Sequence, residues 1–338
     1  MTEYFTLRER DREFYREHIE PRLPRRLLDV HVHANLPAHI SMVPPERWLT
    51  DWALETGRLL PVHDAYACAR ELFPDAGYFI NAFPWPIREA DLESNNAYLS
   101  SLQVEGKISA LMCVKPLWDP EEVERNFVEG EFKGFKPYPD MVSGIKGADM
   151  SIFDFMPGRQ WTILEKHRGV VMLHIPRKGR FADADNIREL RKIRQTYPSV
   201  TIIIAHFGRS FCPSYLSEGL AKLGNAEGFY FDTSAVTNPE VYDIAFTRID
   251  PAKILFGTDM PITFFRGRQE WTERDYSILT SDPFTWNKVR KTPEVEAEYT
   301  IYIYEEVRAI LDAIDRNGLG EREKEGIFRE NALRALGI

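Results

Sequence analysis

The chain is poor in cysteine. Its 338 residues include only Cys68, Cys113 and Cys212. Three scattered thiols suggest neither a disulfide framework nor a zinc ribbon and suit a reducing compartment, so a cytoplasmic protein is expected. No apolar run approaches the roughly 20 residues that a bilayer-spanning helix needs. Residues 1–26 alternate charged and aromatic side chains and lack the apolar core of a signal peptide. Basic tracts are missing as well, and the net charge is −9. Such an acidic chain is a poor partner for nucleic acid or an anionic membrane. No Gly-x-Gly-x-x-Gly follows the first strand-like run and no Gly-Lys-Ser/Thr loop occurs, which weakens dinucleotide and P-loop readings. Solenoid-period repeats and low-complexity linkers are also lacking, so one domain over residues 1–338 is the simplest count.

What is present is the composition of a soluble globular chain, 43% hydrophobic and 28% charged. Residues from about Glu3 to Glu20 read as an amphipathic helix, with Phe5, Phe14 and Tyr15 as packing residues. This helix makes residues 1–26 an N-terminal extension, ended by Pro21 and Pro24. Eight short apolar runs then recur: Leu27–His33, Tyr78–Phe83, Ile108–Val114, Phe132–Lys136, Val170–His174, Val200–His206, Phe229–Asp232 and Lys253–Gly257. Helical patterns separate them, at Glu46–Leu60 and His63–Phe73, Glu89–Glu105, Glu121–Val128, Gln160–His167, Asp185–Thr196, Tyr215–Leu223 and Pro239–Phe246. Two further helices are expected at Val295–Ile314 and Glu321–Leu336. Strands alternating with helices predict parallel βαβ units, and nearly all-apolar strands predict burial on both faces. Eight such units most simply close into a (β/α)₈ TIM barrel; an open doubly wound sheet is the alternative.

The polar residues gather at one end of that barrel. His31 and His33 end the first strand, about 7 Å apart on one face if alternation holds, with Asp29 beside them and Leu28, Val30 and Val32 opposite. His174 ends the fifth strand, His206 the sixth, and Asp259 follows the eighth by two residues. All C-terminal strand ends of a parallel barrel meet at one mouth, where such enzymes do their chemistry. Taken singly, His174 and His206 could be packed histidines and Asp259 a helix cap. Together they match one divalent ion: three neutral imidazoles and a carboxylate suit Zn²⁺, with Mn²⁺, Fe²⁺ or Co²⁺ as alternatives. An open coordination position would hold a water of lowered pKa, and a nearby carboxylate could accept its proton. His18, His39, His63 and His167 fall in helices or loops and read as solvated or locally packed.

This ordered set resembles the amidohydrolase superfamily of metal-dependent hydrolases, in its amidohydrolase-2 (amidohydrolase-related) branch. The likeness rests on Asp29-Val30-His31-Val32-His33, on His174 and His206, and on Phe256-Gly257-Thr258-Asp259-Met260-Pro261. The C-terminal stretch Gly326–Gly337, built around Asn331-Ala332, looks like the helix that closes these domains, and the likeness runs from about Leu27 to Ile338. The resemblance implies His31, His33, His174 and Asp259 as ligands of one metal. It implies His206 as the catalytic histidine at the substrate carbonyl or developing oxyanion, and Asp259 as the proton carrier. Lys136 falls where binuclear relatives can hold a carboxylated, bridging lysine; here a substrate contact or an ion pair is the favoured reading, because one metal already has its ligands. Were the bridge present, His174 and His206 would bind a second ion.

Substrate cues come from arginines near this mouth: Arg177, Lys178 and Arg180 after His174, Arg209 after His206, and Arg266 and Arg268 further on. Lys136, Arg177 and Arg209 are the assigned substrate contacts, since arginine forks match carboxylates. A solvated basic loop or internal ion pairs is the competing reading for each. Residues 264–292 are too long for an ordinary connection and rich in aromatics, which reads equally as a lid over the substrate or a contact in a homo-oligomer. Trp85, in a rigid Phe83-Pro84-Trp85-Pro86 turn, is a further lining residue to test. The expected activity is hydrolysis of an amide, ester or lactone in a small anionic substrate. Metal-dependent, non-oxidative decarboxylation of an aromatic or unsaturated acid is the alternative. A non-catalytic metal- or ligand-binding barrel comes third.

Overall fold

The computed structural model describes residues 3–50, 52–145, 147 and 149–338. The sequence pattern Glu46–Leu60 crosses residue 51, which lies outside the described residues. Eight parallel strands form one sheet in sequence order: β1 (Arg26–His33), β2 (Gly77–Phe83), β3 (Ser109–Cys113), β4 (Gly134–Lys136), β5 (Val170–Leu173), β6 (Thr201–Ile204), β7 (Tyr230–Asp232) and β8 (Ile254–Leu255). The sheet closes on itself just beyond β8. Val30 N–H donates to the Phe256 carbonyl (3.0 Å), Asp259 N–H to that of His31 (3.0 Å), and His33 N–H to that of Met260 (2.9 Å). The fold is therefore a (β/α)₈ barrel, and its closing seam lays Asp259 against the two histidines of β1.

A helix follows each strand: α1 (Val62–Leu72), α2 (Leu92–Val104), α3 (Pro120–Glu129), α4 (Gly158–His167), α5 (Ala184–Thr196), α6 (Pro213–Leu223), α7 (Pro239–Arg248) and α8 (Tyr302–Arg316). Their starts are written locally. Asp119, Asp183 and Asn238 each cap the next helix by accepting backbone N–H bonds, and Pro120 and Pro239 occupy first-turn positions that need no donor. Their apolar faces, such as Val123 and Phe127 of α3 or Ile187, Leu190 and Ile193 of α5, are buried against the barrel. The strands split their side chains between two cores. Val171, Leu173, Ile202 and Ile204 join the helices. Leu28, Val30, Leu111, Val170, Met172, Ile203 and Leu255 form a second cluster with Ala332, Ala335 and Leu336 of the C-terminal helix. Asn331 of that helix donates to the carbonyls of Pro251 and Ile254 at the start of β8, tying the helix to the barrel.

Four expectations need correction. Strict alternation along β1 fails: its register against β2 shifts between Asp29 and Val32, so Val32 packs with the helices while Leu28 and Val30 do not. The Asp29 carboxylate consequently bonds Thr258 (2.6 Å) and Tyr78 (2.7 Å) rather than lying beside the imidazoles. The N-terminal helix starts at Glu9, not Glu3, and finishes in a π turn over Tyr15–Ile19; Phe5, Phe14 and Tyr15 are buried in the main core. The helix expected at Val295–Ile314 is broken into Pro293–Ala297 and α8, because Ile301 pairs with Arg266 and gives its N–H to buried Asp11. The long segment after β8 folds into an antiparallel hairpin, β9 (Gly267–Trp271) and β10 (Tyr276–Thr280). No helix among the described residues is long and apolar enough to cross a membrane.

Candidate metal centre and active-site cavity

Asp259 reaches the centre on a backbone with φ of 62°, held by its N–H bond to the His31 carbonyl. Two residues earlier the chain must be glycine: a Cβ on Gly257 would stand 2.9 Å from the Cβ of His31. The result is a compact donor group. Asp259 Oδ1 lies 3.3 Å from His31 Nε2 and 3.2 Å from His33 Nε2. The donor atoms of these three buried residues all fall within 4.8 Å of one another. Asp259 Oδ1 is buried and has no hydrogen-bond partner among the described residues. An orphaned carboxylate oxygen facing two imidazole nitrogens is what a divalent cation would satisfy.

Hydrogen bonds on the far side of each ring fix the tautomers. His31 Nδ1 lies 2.9 Å from Asp232 Oδ2, an acceptor, so its Nε2 lone pair faces the centre. His33 Nδ1 faces the Pro84 carbonyl at a long 3.4 Å, and Trp85 stacks on its ring at 4.6 Å. His206 Nδ1 donates to the Ser234 carbonyl at 2.8 Å, leaving Nε2 without a proton in the neutral ring. The Ser234 hydroxyl donates to Asp232 and sits 3.0 Å from His31 Nδ1 and 2.9 Å from His206 Nδ1. His31, His206 and Asp232 make a second three-residue group of metal-binding type, but hydrogen bonds already engage its facing atoms.

Electrostatics agree with ligation. Burial, with Lys136 nearby, lowers His31 to about 3, and burial lowers His33; both stay neutral at physiological pH. Burial, with Arg209 and His206 adding to it, takes His174 well below its ordinary value. For Asp259 burial acts upward, but His31 and His33 outweigh it and bring the carboxyl down to about 2. Asp232 is likewise held below the usual carboxylate range: burial opposes this, and His31 overcomes it. Burial brings the Lys136 amine down to about 8, against the opposing pull of Asp232 and Asp259; it lies 3.3 Å from His31 Nε2 and over the Phe83 ring.

A cavity of about 100 Å³ opens on these groups. His31, His33, His174, His206, Lys136 and Asp259 supply its polar lining, and Arg209 joins them. Trp52, Trp85, Tyr138, Phe211 and Tyr276 supply flat aromatic walls, Tyr276 coming from the hairpin. His174 therefore reaches the cavity but not the compact donor group; it packs on Tyr138, and its buried Nδ1 has no partner among the described residues. Arg177, assigned to substrate, does not line this cavity: its guanidinium bonds Asn186 (2.7 Å) and Glu189 (2.8 Å), which makes it an internal ion pair. Arg266 is also internal, paired with buried Asp11. Arg180 lies over the rings of Tyr215, Tyr276 and Phe211. His18, His39, His63 and His167 lie away from the cavity lining, as expected. Asp232 and Ser234 were missed by sequence reasoning. The signal was available, since Asp232 ends β7 and every strand end faces the same mouth.

A buried His/Asp cluster that could hold a metal, set at the C-terminal mouth of a parallel barrel, is the arrangement expected of a (β/α)₈ enzyme. A family model described as amidohydrolase (Amidohydro_2) matches residues 29–338, and the chain belongs to that family. No curated protein matches it. Among solved structures it is similar to 2,6-dihydroxybenzoate decarboxylase complexed with 2,6-dihydroxybenzoate, at 17% identity and TM-score 0.55 over 93% of this chain and 100% of that one. It is also similar to a dihydroxybenzoic acid decarboxylase from Polaromonas sp. JS666 with bound manganese and the inhibitor 2-nitroresorcinol, at 15% identity and TM-score 0.54, over 93% of this chain and 97% of that one. A third is a probable 2-pyrone-4,6-dicarboxylic acid hydrolase from Acinetobacter baumannii with citric acid bound, at 14% identity and TM-score 0.55, over 92% of this chain and 99% of that one. At these identities the likeness shows the fold.

Proposed function

We propose that this chain is a metal-dependent decarboxylase that removes CO₂, without oxidation, from a small planar carboxylic acid. The observation that carries this choice is the tautomer of His206. Its Nδ1–H is committed to the Ser234 carbonyl, so the neutral ring offers an unprotonated Nε2. In the neutral ring such a nitrogen can accept a proton from a substrate hydroxyl, which is the role the decarboxylation scheme gives it. The cavity walls support a planar substrate, and Lys136 and Arg209 in the lining support an anionic one.

In this reading His31, His33 and Asp259 hold a divalent ion, with His174 as a fourth donor. Zn²⁺ fits the donor set, and Mn²⁺ fits it too. The ion would supply Lewis-acid polarisation and a lowered water pKa at the centre. Lys136 and Arg209 orient the carboxylate, and the aromatic walls clamp the ring and exclude water, which weakens carboxylate solvation. His206 Nε2 draws a proton from a substrate hydroxyl. The carbon–carboxylate bond then breaks and CO₂ leaves with the electron pair staying on carbon. Asp259, ionised at rest, takes a proton from water and passes it to that carbon, and the hydroxide left behind recovers the proton held on His206. That the dihydroxybenzoate enzymes named above act on planar acids is in keeping with this scheme.

Hydrolysis of a lactone, ester or amide is the second reading, favoured by an Asp259 carboxylate ionised beside the centre and so able to take a proton from water. Product analysis separates the two. The metal-loaded chain is offered dihydroxybenzoates and 2-pyrone-4,6-dicarboxylate. Released CO₂ with the decarboxylated ring is the expected result, while an opened pyrone without CO₂ would overturn it.

A further inference from the structure

We propose that Glu306, far along the chain on α8, is a positioning residue for His206, acting by clamping the turn that follows β7. The inference rests on the reading of His206 as the proton-accepting group of the cavity. That turn, Thr233-Ser234-Ala235, does three things at once. The Ser234 carbonyl takes the Nδ1–H of His206, the Ser234 hydroxyl reaches both His206 and His31, and Ala235 lines the cavity. To do so the chain passes through a φ of 58° at Ala235, a left-handed conformation that a residue with a Cβ holds only when its surroundings enforce it.

Glu306 is the group that enforces it. It is 0% exposed, and its two carboxyl oxygens bracket Ser234: Oε1 accepts from the Thr233 hydroxyl (3.2 Å) and Oε2 from the Ala235 N–H (3.1 Å). No arginine or lysine pairs with it among the described residues; its charged neighbours are Asp29 and Asp232. Burial pushes its carboxyl well above the ordinary range. A carboxyl placed at such cost in a barrel wall serves geometry: both bonds flank the one residue whose carbonyl sets the His206 tautomer. Gln can reproduce the arrangement, accepting from Ala235 through its oxygen and donating to Thr233 through its amide. Leu has the volume and neither bond.

The test is ¹⁵N NMR of the zinc-loaded, ¹⁵N-histidine-labelled chain, with His206→Asn to assign the His206 signals. The unsubstituted chain should show His206 as the Nδ1–H tautomer, and Glu306→Gln should keep it. Glu306→Leu should shift the ratio towards Nε2–H about fivefold, the effect of weakening one buried hydrogen bond. Thr233→Val breaks one arm of the clamp while leaving Glu306 in place, and should shift the ratio about twofold in the same direction, so that a Glu306→Leu chain that does not fold still leaves a decisive variant. An unchanged His206 tautomer in the folded variants, or an equal shift in Glu306→Gln and Glu306→Leu, overturns the inference. Failure of the decarboxylase reading has a different signature: no CO₂ from any planar acid, with the tautomer results unaffected.

Discussion

The two sides of the cavity are built on different terms. At β1 and just after β6 the far nitrogen of each ring is engaged, His31 by Asp232, His33 by Pro84 and His206 by Ser234. On the β5 side His174 has a buried Nδ1 with no partner among the described residues, and the walls beyond it are aromatic rings stacked around Arg180. The first side is oriented before anything binds, and the second is left to adjust to what binds. A metal centre needs the former, because ligand rings that turn freely lose affinity. A substrate pocket tolerates the latter, because aromatic walls recognise a flat molecule through area rather than angle.

Substitutions should expose that asymmetry. The largest effect is expected from Asp259→Ala, which removes the oxygen shared by His31 and His33: the variant should retain no zinc or manganese after dialysis and should not turn over. Retained metal would move the centre elsewhere. Next comes Asp232→Ala, which frees the His31 ring without touching a proposed ligand atom. Metal affinity, measured by competition with a chelator, should fall about 10- to 100-fold. His174→Ala should cost less, about tenfold, because this donor is the least oriented of the four. If it cost as much as Asp259→Ala, the two sides would be equivalent and the comparison would fail. The smallest effect is expected from Arg180→Met. Losing its contacts with Tyr276, Tyr215 and Phe211 should loosen the hairpin by about 1 kcal/mol. This would be read as faster amide exchange over residues 267–280, with metal affinity unchanged.

The same division decides what could be read from the sequence. Eight strand ends, the histidines on three of them and Asp259 after the eighth were legible because a parallel barrel brings all those ends to one mouth, whatever the details of packing. Asp29 was misplaced because one register shift in β1 defeats the period-two rule, and no residue in Leu27–His33 announces it. The hairpin at Gly267–Thr280 went unread because Arg268-Gln269-Glu270-Trp271 lacks the apolar alternation of a half-buried strand; its pairing comes from contacts with the barrel and its own partner strand. Arg177 looked like a substrate arginine from its place after His174, but its partners Asn186 and Glu189 stand on α5, beyond what linear order can show. Glu306 was illegible for the same reason. A buried glutamate on a helix gives no sign of the turn it holds some 70 residues earlier in the chain.

Elemental analysis of the chain purified without chelator, paired with Asp259→Ala, bears most directly on the proposed metal centre from which the rest follows. One divalent ion per chain, lost in the variant, is the expected result. An ion-free chain that still releases CO₂ would contradict the account, and so would two ions per chain, which would turn Lys136 into a bridging ligand.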